Sequence, residues 1–179
     1  MTAARPLSPA QELPTTSQVA GWRAFLTAHA RVIAVLEREL LVERGMPVAW
    51  YDVLVVLSES PENRLRMHDV ASAVILSRAG LTRLIDRMAG AALVERVPCE
   101  DDRRGTFVNM TAAGRAALDA ASPVHLRGIR EHFTQYLSDD ELGLLERALG
   151  RVVAAIPGAS AKASGPPPSM PRPGAPGRR

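Results

Sequence analysis

The chain has one cysteine, Cys99, and one lysine, Lys162, in 179 residues. A single thiol excludes an internal disulfide framework and fits a reducing compartment. Aromatic residues make up only 4% of the chain, too few for the stacking platforms that hold RNA. No apolar run approaches the ~18 residues of a membrane span, and no basic-then-apolar secretion signal opens the chain. The sequence therefore reads as soluble and cytoplasmic, and Asn109-Met110-Thr111 matches a glycosylation acceptor by chance. There is no Gly-x-Ser-x-Gly, no His-Glu-x-x-His, no phosphate-binding loop and no dinucleotide fingerprint. No catalytic residue and no cofactor is expected. His29, His68, His125 and His132 are too scattered to suggest a metal site.

What the chain does have is a hydrophobic content of 46%, enough for a core, and an uneven distribution of charge. Residues 64–115 hold nine Arg against six Asp or Glu, and residues 157–179 hold four basic residues and no acid. The formal charge of +3 is thus concentrated in a middle segment and a tail, the footprint of a polyanionic partner. Residues 1–15 carry three prolines and no periodicity, and 157–179 are rich in Pro, Gly and Ser. Both tails read as disordered.

Between the tails the pattern is mainly helical. Trp22, Leu26, His29, Ile33, Leu36 and Leu40 recur at spacings of four and three, a narrow stripe suited to packing along another long helix. Gly45 and Pro47 stop that helix. A second helix is expected through "AWYDVLVVLSES" and a short third at "MHDVASAVI". Ser77 is placed to cap a fourth, "RAGLTRLIDRMAG". At about 100° per residue, Leu81, Leu84, Ile85 and Met88 fall on one face of that helix, and Ala79, Thr82, Arg83, Asp86 and Arg87 on the other. "LVERV" and "FVNM" alternate like strands and flank "CEDDRRGT", so they are expected to form a hairpin whose tip carries Arg103 and Arg104. Thr111 starts another helix, which Pro123 either kinks or divides, with Leu126, Ile129, Phe133, Tyr136 and Leu137 continuing its apolar face. "SDDE" (138–141) is a capping box that opens a last helix, ended by Pro157.

This order describes a winged helix-turn-helix: mainly α with a small β-hairpin wing, flanked by further long helices. The capped helix would enter the major groove, where Arg pairs bidentately with guanine. The hairpin tip would present arginine to the minor groove, whose narrow stretches have an enhanced negative potential. Asp102 would hold one of those arginines by a charge-assisted bond.

The stretch "LSRAGLTRLIDRMAGAALVERVPCEDDRRGTFVNMTAAG" resembles the multiple-antibiotic-resistance regulator (MarR) family of bacterial transcription factors. The Ser-Arg opening, the "LTRLIDRM" body, "LVER", "DRR" and "MTAAG" carry the resemblance, although the family's frequent Asp-Pro before the wing tip is Cys99-Glu100 here. It implies a MarR-type domain over 16–156, with a winged unit at about 48–111 and dimerisation helices at about 17–43 and 112–156. It implies a homodimer on a palindromic double-stranded DNA operator, with Ser77, Arg78, Ala79, Thr82, Arg83 and Arg87 contacting DNA from the helix and Arg103 and Arg104 from the wing. It also implies release by a small phenolic or anionic effector bound between the dimer helices and the winged unit, and repression as the commoner behaviour. Trp22, His29, Trp50, Tyr51 and Asp69 are the candidate ligand residues, with His68 and His125 near them. Two alternatives remain open: an oxidation sensor using Cys99, whose thiolate nearby arginines would favour, and a non-specific architectural DNA-binding protein.

Overall fold

A computed structural model describes residues 13–74, 78–99 and 105–156. Ser77, Asp102, Arg103, Arg104 and both expected tails, apart from residues 13–15, lie outside these. Helix α1 (Thr16–Arg44) opens on a capping box, in which Thr15 accepts the Gln18 N–H and Gln18 accepts the Thr15 N–H at 2.7 Å. It closes at Gly45, whose φ of 63° is the left-handed conformation that glycine adopts without strain. Helix α2 (Val48–Ser58) begins behind Pro47, which has no side chain to cap it. The cap comes from α1 instead: Glu37 Oε2 accepts the Val48 N–H at 2.7 Å. A 3-10 turn (Pro61–Asn63) leads into β1 (Arg64–Arg66), and α3 (Met67–Ala73) and α4 (Arg78–Gly90) follow.

Strands β2 (Val94–Pro98) and β3 (Thr106–Met110) pair antiparallel in the register Val94↔Met110 to Pro98↔Thr106. The hairpin is as expected, but the sheet has three strands in the order β1-β3-β2. Sequence reasoning missed β1, because two of its three residues are arginines and only Leu65 faces inward, opposite the buried Val108. The core lies between this sheet and helices α2–α4, centred on Val53, Leu54, Leu57, Val70, Leu81, Ile85, Met88 and Val108.

Helix α5 (Ala112–His132) runs unbroken through Pro123, which settles the choice between one helix and two. Its start is tied to the wing. The Thr111 hydroxyl accepts the Gly114 N–H at 2.9 Å and donates to the Ala92 carbonyl at 2.7 Å. A Cβ on Gly114 would stand 2.1 Å from the Leu93 carbonyl oxygen, so "TAAG" needs its glycine for close approach. Near its other end α5 crosses α1 tightly: a Cβ on Gly128 would meet Leu36 Cδ2 at 2.5 Å. The Arg127–Glu43 ion pair and the 2.6 Å His132–Glu39 pair brace the same crossing.

One expectation fails here. The apolar face does not run on to Tyr136 and Leu137, because the helix stops at His132. A 3-10 turn (Thr134–Tyr136) leaves Tyr136 72% exposed before Ser138 caps α6 (Asp139–Ala155). The capping box of α6 is as expected, with Glu141 accepting the Ser138 N–H at 2.8 Å. Helix α6 buries none of its residues. Helix α1 is the one described helix long and apolar enough to cross a membrane, with a mean hydropathy of 1.2 over its best window. Arg23 and Arg31 would then lie in hydrocarbon, at a cost that a surface packing role avoids.

Candidate nucleic-acid interface

Amphipathic phase sets the rotation of α4. Leu81, Leu84, Ile85 and Met88 are buried, while Thr82, Arg83, Asp86 and Arg87 face outward, as the periodicity requires. Arg78 and Ala79 lie in the first turn of this helix; their side chains are outside the described set. The wing ladder continues one step past the strands, where the Cys99 N–H donates to the Gly105 carbonyl at 3.0 Å. Residues 100–104, which span Asp102, Arg103 and Arg104, are not described. Cys99 itself is 7% exposed, so its thiol is shielded from solvent oxidants.

Three arginines that sequence reasoning did not single out stand around this surface. Arg96 sits on the inward face of β2, directly opposite Val108. Its Nη2 lies 2.8 Å from Asp86 Oδ1 and donates to the Thr82 carbonyl at 3.3 Å. Alternation puts Arg96 on the strand face of Val94, but its partners on α4 are set by how the strand packs. On the opposite face, Arg64 and Arg66 of β1 flank the Phe107 ring, with guanidinium carbons 5.0 and 5.4 Å from its centroid. Arg64 also pairs with Glu62 at 2.6 Å. An open hollow of about 710 Å³ lies between the start of α2 and α4, lined by Ala49, Gly80, Arg83, Leu84, Asp86 and Arg87.

The candidate ligand residues do not gather within the single chain. Trp22, Phe25 and His29 form a ladder along the exposed half of α1, with ring centroids 5.9 and 6.2 Å apart. Trp22 precedes Leu36, near the α5 crossing, by 14 residues, about 21 Å of helix. Asp69 is on α3, 3.3 Å from the His68 ring. Tyr51 instead packs on His125 of α5, with centroids 4.3 Å apart. Burial raises the Tyr51 pKa and lowers that of His125. Among the described residues, His125 Nδ1 and Trp50 Nε1 are buried without a hydrogen-bond partner. No group of His, Cys, Asp or Glu among the described residues could hold a metal ion.

Comparison with known proteins bears on this geometry. The MarR family model matches residues 44–105. The crystal structure of AbsC, a MarR family transcriptional regulator from Streptomyces coelicolor, is 34% identical, with a TM-score of 0.74 over 80% of this chain and 97% of that one. The chain belongs to the MarR family. Sco3205, another MarR family regulator from Streptomyces coelicolor, is 30% identical with a TM-score of 0.74, over 79% of this chain and 92% of that one, and was solved in complex with DNA. The transcriptional repressor YetL of Bacillus subtilis is 27% identical over 107 residues, which span 60% of this chain and 64% of YetL. As a MarR-family member the protein is a DNA-binding transcriptional regulator and not an enzyme. Its fold is the family's winged helix.

Proposed function

We propose that this regulator is a cytoplasmic homodimer that binds a palindromic operator sequence-specifically and represses transcription until a small phenolic or anionic ligand releases it. The observation that carries the reading is the outward polar face of α4, Thr82, Arg83 and Arg87, fixed by the burial of its opposite face. Ser77, Arg78, Ala79, Thr82 and Arg83 would meet base edges or phosphates, and Arg87, late on the polar face, a phosphate. Arg103 and Arg104 would reach the adjacent minor groove, with Asp102 steadying them.

Dimerisation is supported by apolar surface that one chain leaves uncovered: Trp22, Phe25, Leu26 and Ile33 on α1, Leu144, Val152 and Val153 on α6, and Ile156 just beyond it. The chain accordingly divides into a winged unit at about 48–111 and dimerisation helices at about 17–43 and 112–156, with tails outside them. Twofold symmetry would set two recognition helices about one helical turn of DNA apart.

An effector site is supported by two features. Tyr51 stacks on His125 of α5, whose Nδ1, like Trp50 Nε1, is buried without a partner among the described residues, and the hollow between α2 and α4 is lined by Arg83 and Arg87 together with Asp86. Trp22, His29 and Asp69 would join the first site through the assembled dimer. The test is selection of duplexes from a random library, followed by footprinting. A protected palindrome released by aromatic acids is the expected result. Uniform weak protection would favour architectural binding, and release only after peroxide would favour Cys99 sensing.

A further inference from the structure

Arg96 projects from the face of β2 where apolar residues belong, yet its guanidinium is not idle. It reaches α4 and binds two groups one helical turn apart, the Thr82 carbonyl and the Asp86 carboxylate. Asp86 is the only acid in α4 and lies on the outward face between Arg83 and Arg87. Left alone, its charge would weaken the attraction of that face for phosphate.

We propose that Arg96 is a positioning residue for DNA recognition: a strut from the wing strand that fixes the spacing of wing and recognition helix and cancels the one carboxylate of α4. Arg96 and Asp86 are 36% and 57% exposed, so the pair adds little to global stability. Its work is geometric. Recognition helix and wing must meet neighbouring grooves together, and a shift of either loses the correct register before it loses general affinity for the polyanion. Arg96 acts through Asp86 and Thr82, not by touching the duplex.

The inference rests on the reading that α4 faces sequence-specific DNA. Its test uses the full chain and two duplexes of equal length, one selected by the wild-type protein from a random library and one unrelated. The variants are Arg96→Met, Asp86→Asn, their double, and Arg96→Lys. Affinity for the unrelated duplex reports charge, and the ratio of the two affinities reports the strut. Arg96→Met is expected to lower the ratio about tenfold, Asp86→Asn by a similar factor, and the double no further, because one bridge is broken in all three. Arg96→Lys falls between, since one ammonium reproduces only part of the two-point grip. Binding to the unrelated duplex is expected to weaken in Arg96→Met and return in the double. Melting temperatures stay within a few degrees of wild type, which a merely structural role would not allow.

Additive losses, with a salt slope lower by about one unit in both Arg96→Met backgrounds, would make Arg96 a direct phosphate contact and overturn the strut. An unchanged ratio in Asp86→Asn would overturn it even if Arg96→Met failed to fold. Absence of any preference in the wild-type protein would overturn the operator reading, and the strut with it.

Discussion

The winged unit and the outer helices solve the problem of burying apolar surface in opposite ways. Around α2–α4 and the sheet, eight large side chains among the described residues are almost wholly withdrawn from water by residues of their own chain. Along the first half of α1 and all of α6, residues of the same chemistry stay out: Trp22 is 58% and Val153 74% exposed. The winged unit buries its apolar surface within a single chain, whereas the first half of α1 and α6 leave theirs uncovered. In the proposed dimer that division would let the reading head keep its shape while the seam sets how two heads are spaced.

Four changes would sharpen or break the contrast. The largest effect is expected at the joint between the regions. Gly114→Val would drive a branched side chain into the Leu93 carbonyl and detach α5 from the wing, at a cost of about 4 kcal/mol or more. Circular dichroism melts would read this as loss of the cooperative transition. Next comes the core: Ile85→Ala should cost about 2–5 kcal/mol in chemical denaturation.

On the other side, Val153→Asp should leave the winged core folded yet shift sedimentation from dimer to monomer. A dimer that survives Val153→Asp and Leu144→Asp together would show that α6 is not the seam. The smallest effect concerns pH. Burial lowers the His125 pKa below its ordinary 6.5, so the folded chain resists a proton that the unfolded chain accepts. The stability this gives is complete above pH 6.5 and declines as pH falls below it. His125→Gln should flatten that decline by about 1 kcal/mol or less, measured by denaturation at pH 7.5 and 5.5.

The candidate site was half legible before any coordinates. The polar face of α4 followed from phase alone, because one buried stripe fixes where every other residue points. The hairpin followed from alternation around a charged, glycine-bearing loop. Arg96, Arg64 and Arg66 were hidden, since a strand's inner and outer faces depend on which neighbours it pairs with. Edge strand β1 exists only because β3 offers it a ladder. The Tyr51–His125 stack joins residues 74 apart in sequence, and no local pattern announces it.

The sequence by itself determined what acts within a few residues: the caps at Thr111 and Ser138, the stop at Gly45, the phase of α4 and the alternation of β2 and β3. Hydrogen bonds to the first turn, side-chain periodicity and the allowed φ of glycine need no distant partner. The tertiary structure decided the rest: Glu37 capping a helix to which it does not belong, Gly128 admitting α1 against α5, and Arg96 reaching from wing to recognition helix. Those depend on which surfaces meet once the core closes, and that is a property of the whole chain's packing.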